Sequence, residues 1–429
     1  MLNYLTGPSS GTGDLVLQPF RLGLNISLGH TGDLPDSLDM TGLFKQLQDG
    51  FKSIAIGRKD STGATTIESP LTFQDPVTIR SPQGAGLIAI LPTGSLTGVD
   101  NASIALTANQ NITAGNITTT GTGDITLTSN IGTIALNGPI TTIDKNITFN
   151  GPVTLQKNVL VDTGALGGGN ILFSNTVNGT TANNQNLTLT PGTGNITFSG
   201  AIGNQIAIGN LQINNATDVQ IAAITANSII QSTGTGTTTF NGAVTTNGSV
   251  GINLIGTNFA VNNLVTTKNG SFTVTNSGDL NIAAGAKLGL EGAFTQNGTG
   301  KVNIASNITT TNDNITFNSP VTLTNNVSLN TGSGNGNITF NKTVDGTTPY
   351  SQNLTLTAGT GNVSVNGAIG NNKALKDLTV NSTGTTAFSQ IVKAQSLTTD
   401  AGGTTAINGN VTTTNAQTYG DAVTKLFRI

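Results

Sequence analysis

The sequence predicts an all-β protein: a parallel β-helix (β-solenoid) with a small N-terminal α+β cap-like segment. Three observations favour this fold class. The composition is rich in glycine and β-branched residues and poor in charged residues. The chain also contains a long internal repeat and, inside it, a shorter repeat of 23 to 25 residues. A step of this size is typical of one coil in a β-solenoid.

The composition excludes several classes of protein. Charged residues make up 9% of the chain, against roughly 25% in a typical globular protein. Hydrophobic residues make up 35%, so the chain lacks the low hydrophobicity and high charge of a disordered protein. The net charge of −3 offers no basic surface, and we expect no nucleic-acid partner. No apolar run is long enough for a membrane span, and without cysteine there are no disulfides or thiolate metal sites.

The segment 1–70 differs from the rest of the chain because it is richer in charged residues. Within 36–51, the apolar residues Leu43, Phe44 and Leu47 have helical spacing, which predicts a short helix. The stretches DLVLQPF and KSIAIGR alternate as strands do. We therefore interpret 1–70 as a cap-like segment with one short helix.

A long repeat divides the remainder of the chain. The phrase NITFNGPVTL at 146–155 returns as NITFNSPVTL at 314–323, and a more distant version, LTFQDPVTI, lies at 71–79. The predicted organisation is 71–145 as the first solenoid coils, 146–313 as repeat block 1, and 314–429 as repeat block 2, which is truncated.

The repeated phrase predicts a strand, a corner and a second strand. Ile147 and Phe149 alternate with polar residues, and Val153 and Leu155 do the same. The Asn-Gly-Pro between them favours a corner, because Asn and Gly tolerate positive φ and Pro cannot donate to a sheet. Both strands would direct their apolar residues inward.

The shorter repeat, of 23 to 25 residues, places asparagine and phenylalanine at equivalent positions of successive coils. Stacking at the spacing of neighbouring strands, about 4.8 Å, would then bring like residues together in ladders. The predicted structural ladder residues are Phe149, Phe173, Phe198, Phe317 and Phe340, with Asn146, Asn170, Asn195, Asn314, Asn337 and Asn362.

Two alternatives remain open at this point. Asn-Gly pairs at Asn150, Asn241 and Asn366 are also typical of β-hairpins, and an array of β-sandwich domains would use them in that way. The Thr-Thr-Thr runs, such as 118–120 and 237–239, could line up as a flat, ice-binding face. The simpler interpretation is that threonine is the outward β-branched residue of each strand.

The sequence offers little that predicts catalysis. Polysaccharide lyases and hydrolases need converging carboxylates, and the acidic residues here are thinly spread. His30 is the only histidine, and no G-x-S-x-G motif accompanies it. We interpret the cluster of Asp33, Asp36 and Asp39 as a solvated helix start. We therefore predict no enzyme activity, no catalytic or metal-binding residue and no cofactor, while the ligand-binding residues stay unknown.

The segments GFKSIAIGRKDSTGATTI and LTFQDPVTI, with the NITF and GTTTFNGAVTT units, resemble the large β-strand-repeat exoproteins of bacteria, the filamentous-haemagglutinin-like adhesins. The resemblance extends from about residue 15 to residue 424. It implies a right-handed parallel β-helix at the cell surface, associated with the outer membrane, or released to the outside. The implied partners are host-cell or matrix receptors or glycans, or copies of the chain itself.

One departure from this family concerns export. The family's N-terminal secretion module, with its Asn-Pro-Asn-Gly-type signature, is absent, and no signal peptide is visible. We therefore expect a segment of a larger exoprotein. The expected function is a non-enzymatic β-helical stalk that mediates adhesion or self-association. The alternative is a polysaccharide-active β-helix enzyme or another carbohydrate-binding solenoid.

Overall fold

The computed structural model describes residues 8–30, 37–39, 47–165 and 167–425. Within these residues the chain is all-β without a helix, and the strand pairings are parallel, as the sequence predicts for a β-solenoid. The chain divides into two compact units, Met1–Gln220 and Ile221–Ile429. This division falls inside repeat block 1, so the units and the sequence repeats are different segments.

In the first unit, the strands of successive coils stack in three parallel rows. The first row is Asp14–Leu17, Ser53–Ile56, Val77–Ser81, Ile104–Ala108, Ile125–Ser129, Ile147–Asn150, Ile171–Phe173 and Ile196–Phe198. The second row is Ser37–Asp39, Asn25–Leu28, Ala64–Ile67, Leu87–Ile90, Ile112–Ala114, Ile134–Leu136, Val153–Leu155 and Val177–Gly179. The third row is Pro70–Phe73, Ser95–Gly98, Asn116–Thr119, Ile140–Thr141, Val159–Asp162, Leu187–Thr190 and Ile208–Ile213. A further strand is Val219–Ile221.

The second unit has the same construction, and some of its strands are long enough to belong to two rows. The two opening long strands are Ile224–Gln231 and Val244–Gly256. The first row is Thr237–Phe240, Asn258–Val261, Leu280–Ile282, Val302–Ile304, Val321–Leu323, Val344–Gly346, the bridging residue Ile369, the start of Val392–Thr399, and Val411–Thr413. The second row is Val265–Thr267, Leu288–Leu290, Ile308–Thr310, Val327–Asn330, Leu354–Gly359, Leu375–Ser382, Val392–Thr399 and Gln417–Tyr419. The third row is Phe272–Asn276, Phe294–Gly298, Ile315–Phe317, Ile338–Phe340, Val363–Val365, Thr385–Phe388, Thr404–Ile407 and Ala422–Lys425.

The repeated phrase forms the predicted strand, corner and strand. Its first strand is Ile147–Asn150, its second strand is Val153–Leu155, and Gly151 at the corner has a φ of 143°. A side chain is strained at such a φ, so glycine suits this corner. The four apolar side chains of the phrase are no more than 1% exposed. The alternation of the sequence therefore becomes the inward and outward alternation of the coil.

The Asn-Gly pairs lie at corners between strands of different rows, not in hairpins. Ile147–Asn150 belongs to one row and Val153–Leu155 to the next, and each strand pairs in parallel with the neighbouring coils. A hairpin would pair the two strands with each other in antiparallel fashion. The alternative of a β-sandwich array is therefore wrong.

The N-terminal segment is made of strands wherever it is described. The predicted helix over 36–51 is contradicted at its start, because Ser37–Asp39 is a strand that pairs with Asn25–Leu28. Near its predicted end, Leu47 forms a parallel bridge with Ser9. Leu43 and Phe44 lie outside the described residues. Here ladder hydrogen bonds to neighbouring strands outweigh the local helical spacing, which is a weak signal in a short segment.

Candidate functional site

The phenylalanine ladder of block 1 is a stack of rings inside the first unit. Phe149, Phe173 and Phe198 are register partners in successive coils. Their ring centroids lie 4.7 and 4.8 Å apart, and the planes are within 15° of parallel. All three rings are at most 2% exposed. These residues fill the core, so they are not available to a ligand.

The corresponding ladder in the second unit is less regular. Phe317 stacks on Phe340 with centroids 5.2 Å apart, and Phe294 lies tilted against Phe317 at the same distance. The register partner of Phe340 in the next coil is Val365, so the stack ends there. The coil period of the sequence predicts that the stack ends here, because Val365 occupies the position that Phe198 has in block 1.

The asparagine ladder joins side chains to the backbone of the next coil. The Oδ1 of Asn146 accepts the backbone N–H of Asn170 at 3.0 Å, and Asn170 accepts that of Asn195 at 2.9 Å. In block 2, the rungs join Asn314 to Asn337 and Asn337 to Asn362, at 2.8 and 2.7 Å. Each rung satisfies a backbone donor at a corner, where no sheet partner is available. These asparagines are therefore structural.

Several acidic side chains also accept hydrogen bonds from the backbone of a neighbouring coil. Asp124 accepts the backbone N–H of Asn146 at 2.8 Å, and Asp400 accepts that of Ser382 at 3.0 Å. Asp421 accepts from the backbone of Gly403 and from the hydroxyl of Thr405, both at 2.9 Å. These carboxylates replace asparagine as rungs between coils, which explains their scattered positions in the sequence.

His30 lies in a small polar cluster of the first unit. Its Nδ1 is 2.7 Å from Oε2 of Glu68, while Oε1 of Glu68 accepts from Ser27 at 2.9 Å and from Thr66 at 3.2 Å. The hydrogen bond from His30, followed by those from the two hydroxyls, lowers the pKa of Glu68. The carboxylate lies between serine and histidine, unlike a catalytic triad, in which the imidazole takes the middle place.

The acidic cluster predicted beside this histidine falls largely outside the described residues. Asp33 and Asp36 are not described, and Asp39 ends the strand Ser37–Asp39, so it does not begin a helix. Among the residues that are described, no group of three or more histidine, cysteine or acidic side chains is placed to hold a metal ion. The described part of the chain also has no helix long and apolar enough to cross a membrane.

Two open grooves cross successive coils of the second unit. The first, of about 510 Å³, contains a single ionisable side chain, that of Asp400; it is lined by Asn330, Gly332, Ser333, Thr357, Gly359, Thr360, Asn381, Ser382, Thr383 and Asp400. The second, of about 420 Å³, is lined by hydroxyls, one amide, glycines and one isoleucine: Thr233, Gly234, Thr235, Ile255, Gly256, Thr257, Thr275, Asn276, Ser277, Gly298 and Thr299. Hydroxyls and amides both donate and accept hydrogen bonds, but the surface that these grooves expose is mainly apolar.

The Thr-Thr-Thr runs do not form a flat threonine face. In the run 118–120, Thr118 is outward, but Thr119 is fully buried and donates to the carbonyl of Gly123 at 2.7 Å. Thr238 and Thr310, the middle residues of two other runs, are also buried. The runs therefore follow the ordinary alternation of a strand, and the ice-binding interpretation finds no support in their geometry.

One loop in each block extends from a corner and is held by a buried glutamine. In block 1, Oε1 of Gln185 accepts the backbone N–H groups of Thr180 and Thr181 at 3.0 and 2.9 Å. In block 2, Gln352 accepts those of Thr347 and Thr348 at 3.0 and 3.3 Å. Each loop then carries one residue in the left-handed conformation: Asn183 in block 1 and Tyr350 in block 2. Sequence reasoning missed these loops, although the repeated Gln-Asn-Leu-Thr-Leu-Thr marks where both end.

The tip of the block 2 loop is the more unusual of the two. Tyr350 is 45% exposed, and its backbone N–H donates to the carbonyl of Ala374 in the next coil at 2.7 Å. Lys373 and Lys376 flank that contact, and both side chains are exposed. Tyr350 therefore presents an exposed aromatic side chain at this corner, where the loop runs beside the backbone of the next coil.

Comparison with known proteins gives no relative for this chain: no family model, no curated protein and no solved structure matches it.

Proposed function

We propose that this chain is a non-enzymatic β-solenoid, displayed at a bacterial surface or released from it, that mediates adhesion or self-association. The proposal includes membership of the filamentous-haemagglutinin-like exoproteins, which the repeated phrases of the sequence resemble. Its partners would be host-cell or matrix receptors, glycans, or other copies of the chain.

The observation that carries the proposal is the repetition of neutral polar side chains along the outside of the coils. In the first unit, Thr72, Thr97, Thr118 and Thr141 are register partners on four successive coils. The hydroxyls of Thr118 and Thr141 lie 2.9 Å apart. Such a column presents the same hydrogen-bonding group at each coil.

An amide column has the same character in the second unit. The side-chain N–H of Asn318 donates to Asn297 at 2.8 Å, Asn341 donates to Asn318, and Asn366 donates to Asn341 at 2.8 Å. Weak contacts repeated along such columns add through avidity, which can raise affinity by about 10²- to 10⁴-fold without a single strong site. A repetitive surface is therefore suited to attachment.

The carboxylates support a structural rather than a catalytic role. Asp124, Asp400 and Asp421 accept hydrogen bonds from backbone N–H groups of neighbouring coils. A general acid or base has to exchange a proton with a substrate, and these oxygens instead terminate the backbone ladder at the corners. Polysaccharide cleavage is the function against which the proposal must be tested, because hydroxyl and amide residues line the grooves of the second unit.

The test is a binding screen run beside a cleavage assay on the same purified chain. The chain would be applied to cultured cells, matrix proteins and a glycan array, its self-association measured by analytical ultracentrifugation, and polysaccharides incubated with it and analysed for new reducing ends. We expect binding or self-association without cleavage. Release of reducing ends would overturn the proposal in favour of an enzyme. The absence of both binding and self-association would overturn the adhesive function.

A matched control separates repeated contacts from a single site. Replacing Thr97 and Thr118 by valine keeps the β-branched shape and removes the hydroxyls from the middle of the threonine column. If the column contributes to adhesion, binding decreases while the circular dichroism spectrum is unchanged.

A further inference from the structure

A small cavity lies at one corner of the first unit, beside the strand Pro70–Phe73 that begins the third row. Its volume is about 240 Å³, which at about 30 Å³ per molecule is room for about eight waters. This is just below the size of drug-binding pockets, roughly 300–1,000 Å³, so the space suits a small organic molecule. The described residues that line it are Leu47, Gln48, Ile54, Thr72, Phe73, Gln74, Asp75 and Val99.

Backbone hydrogen bonds fix the walls of the cavity on both sides of the corner 74–76. On one side, the N–H of Val99 in the next coil donates to the carbonyl of Phe73 at 2.9 Å. On the other side, the N–H of Gly50 donates to Oδ1 of Asp75 at 3.1 Å. The cavity is therefore formed before a ligand arrives, and the protein loses little conformational freedom on binding.

The cavity joins a polar mouth to an apolar interior. Gln48, Thr72 and Gln74 are exposed residues, and they supply amide and hydroxyl groups at the mouth. Ile54 and Phe73 are 2% and 3% exposed, and they are inward residues of their strands. A ligand with an apolar part can therefore remove that part from water by placing it against these two side chains.

Asp75 places a carboxylate in the wall of the cavity, and it is the ionisable side chain of the described lining. Asp75 is 3% exposed. Its Oδ1 accepts the N–H of Gly50, but Oδ2 makes no hydrogen bond, and neither oxygen makes an ion pair, within the described part of the chain. A buried carboxylate with so few partners costs free energy unless a cation or further donors pair with it.

Other carboxylates at the corners are better satisfied than Asp75. Asp124 lies at the same corner two coils further along and also accepts a backbone N–H, but it is exposed, so water can solvate its other oxygen. Asp421 is 8% exposed, and it accepts from both Gly403 and Thr405. Asp75 differs from both because it combines burial with a single donor, and because it lines a cavity.

We infer that this cavity binds a small organic amine. The ammonium group would pair with Oδ2 of Asp75, and the apolar part of the ligand would pack on Ile54 and Phe73. Hydrogen bonds between ionised partners are roughly twice as strong as neutral ones, so the carboxylate favours an amine over an alcohol of the same shape. The site goes beyond the proposed function and does not depend on it, because adhesion through repeated surface columns needs no enclosed ligand.

The test is a titration of the whole chain with hexylamine, followed by ligand-observed NMR, with hexanol and hexanoate as the uncharged and anionic probes. We expect hexylamine to bind about ten- to a hundredfold more tightly than hexanol, which lacks the charge-assisted hydrogen bond, and hexanoate not to bind. Bound hexylamine should also slow hydrogen exchange in peptides that cover Pro70–Phe73. Equal affinity for hexylamine and hexanol would overturn the inference.

Two variants locate the site, and a third is the matched control. Asp75→Asn keeps the oxygen that accepts the N–H of Gly50 and removes the charge, so it should reduce the affinity for hexylamine to that for hexanol. Val99→Phe should fill the cavity and weaken the binding of both probes. Asp124→Asn removes a charge from a corner residue that does not line the cavity, and it should leave binding unchanged. Wild-type affinity in both cavity variants would overturn the inference.

A lysine side chain of another protein carries the same ammonium group, and acetyl-lysine methylamide separates this source from a free amine. We expect it to bind more weakly than hexylamine, because its two amide groups would have to lose water at the mouth of the cavity. Tighter binding of acetyl-lysine methylamide than of hexylamine would overturn the assignment to a small molecule.

Discussion

The phenylalanine stack gives the most direct test of how the coils are held together. Phe173 is fully buried between two rings, with centroids 4.7 Å away at Phe149 and 4.8 Å away at Phe198. Phe340 is 1% exposed, but it stacks on one ring only, because its next register partner is Val365. The two positions are equally buried and differ in their ring contacts.

The expected cost of truncation follows from that difference. Replacing a buried phenylalanine by alanine costs about 3–5 kcal/mol. An aromatic pair adds about 0.5–1.5 kcal/mol beyond the area that it buries. Phe173→Ala loses two pairs and Phe340→Ala loses one, so Phe173→Ala should be more destabilising by about 0.5–1.5 kcal/mol, the value of one pair.

Hydrogen exchange read by mass spectrometry is the suitable assay, because parts of a solenoid can open locally and one melting temperature would average over the whole chain. The free energy of opening would be compared for peptides that cover Ile171–Phe173 and Ile338–Phe340. Phe198→Val provides the control: in that background, Phe173 has the neighbours of Phe340, and the two truncations should cost the same. Equal costs in the unmodified chain would refute the ring contribution.

Three further outcomes are expected. Asn337→Ala removes the acceptor for the N–H of Asn362 and should lower the free energy of opening by about 1 kcal/mol, measured by hydrogen exchange in peptides that cover Val363–Val365. Because the hydrogen bond from His30 lowers the folded-state pKa of Glu68, stability from this pair is present above the pH where a free glutamate titrates, about 4.3, and is lost as the pH falls further. Tyr350→Asn should stabilise the chain by about 1–2 kcal/mol, because asparagine relieves the left-handed strain.

Each of these outcomes has a control. Asn337→Asp keeps a side-chain oxygen, as Asp124 does in its own rung, so it should retain most of the stability that Asn337→Ala loses. Glu68→Gln should remove the acid sensitivity of hydrogen exchange in Ala64–Ile67, and unchanged sensitivity would exclude the pair as its source. A destabilising Tyr350→Asn would show that the ring stabilises the folded loop, against the strain argument.

The fold could be predicted from residues because its pattern is local and repeated. Ile147 and Phe149 alternate within one strand, and Phe149, Phe173 and Phe198 recur at the coil period, so spacing alone identifies both the inward face and the stacking. The prediction of an N-terminal helix was wrong at its start. The helical spacing of Leu43, Phe44 and Leu47 extends over too short a segment to determine the structure. There Ser37–Asp39 gains a strand partner that no local pattern reveals.

The candidate site could be predicted only in part. The sequence shows that Tyr350 replaces an asparagine of block 1, and the repeat shows which lysines are new. It does not show that Tyr350 and Lys373 are neighbours, because that depends on which backbone groups pair between two coils.

The sequence by itself determined that the protein is a parallel solenoid, where its corners lie and which side chains fill its core, because each of these depends on residues close together in the chain or on a fixed period. Only the tertiary structure decided the roles of the polar residues. Asp124 became a rung between coils, Glu68 a partner of His30, and Tyr350 an exposed ring on a strained loop. Polar side chains take their roles from the hydrogen-bond partners that the next coil supplies, and those partners are about one coil or more away along the chain.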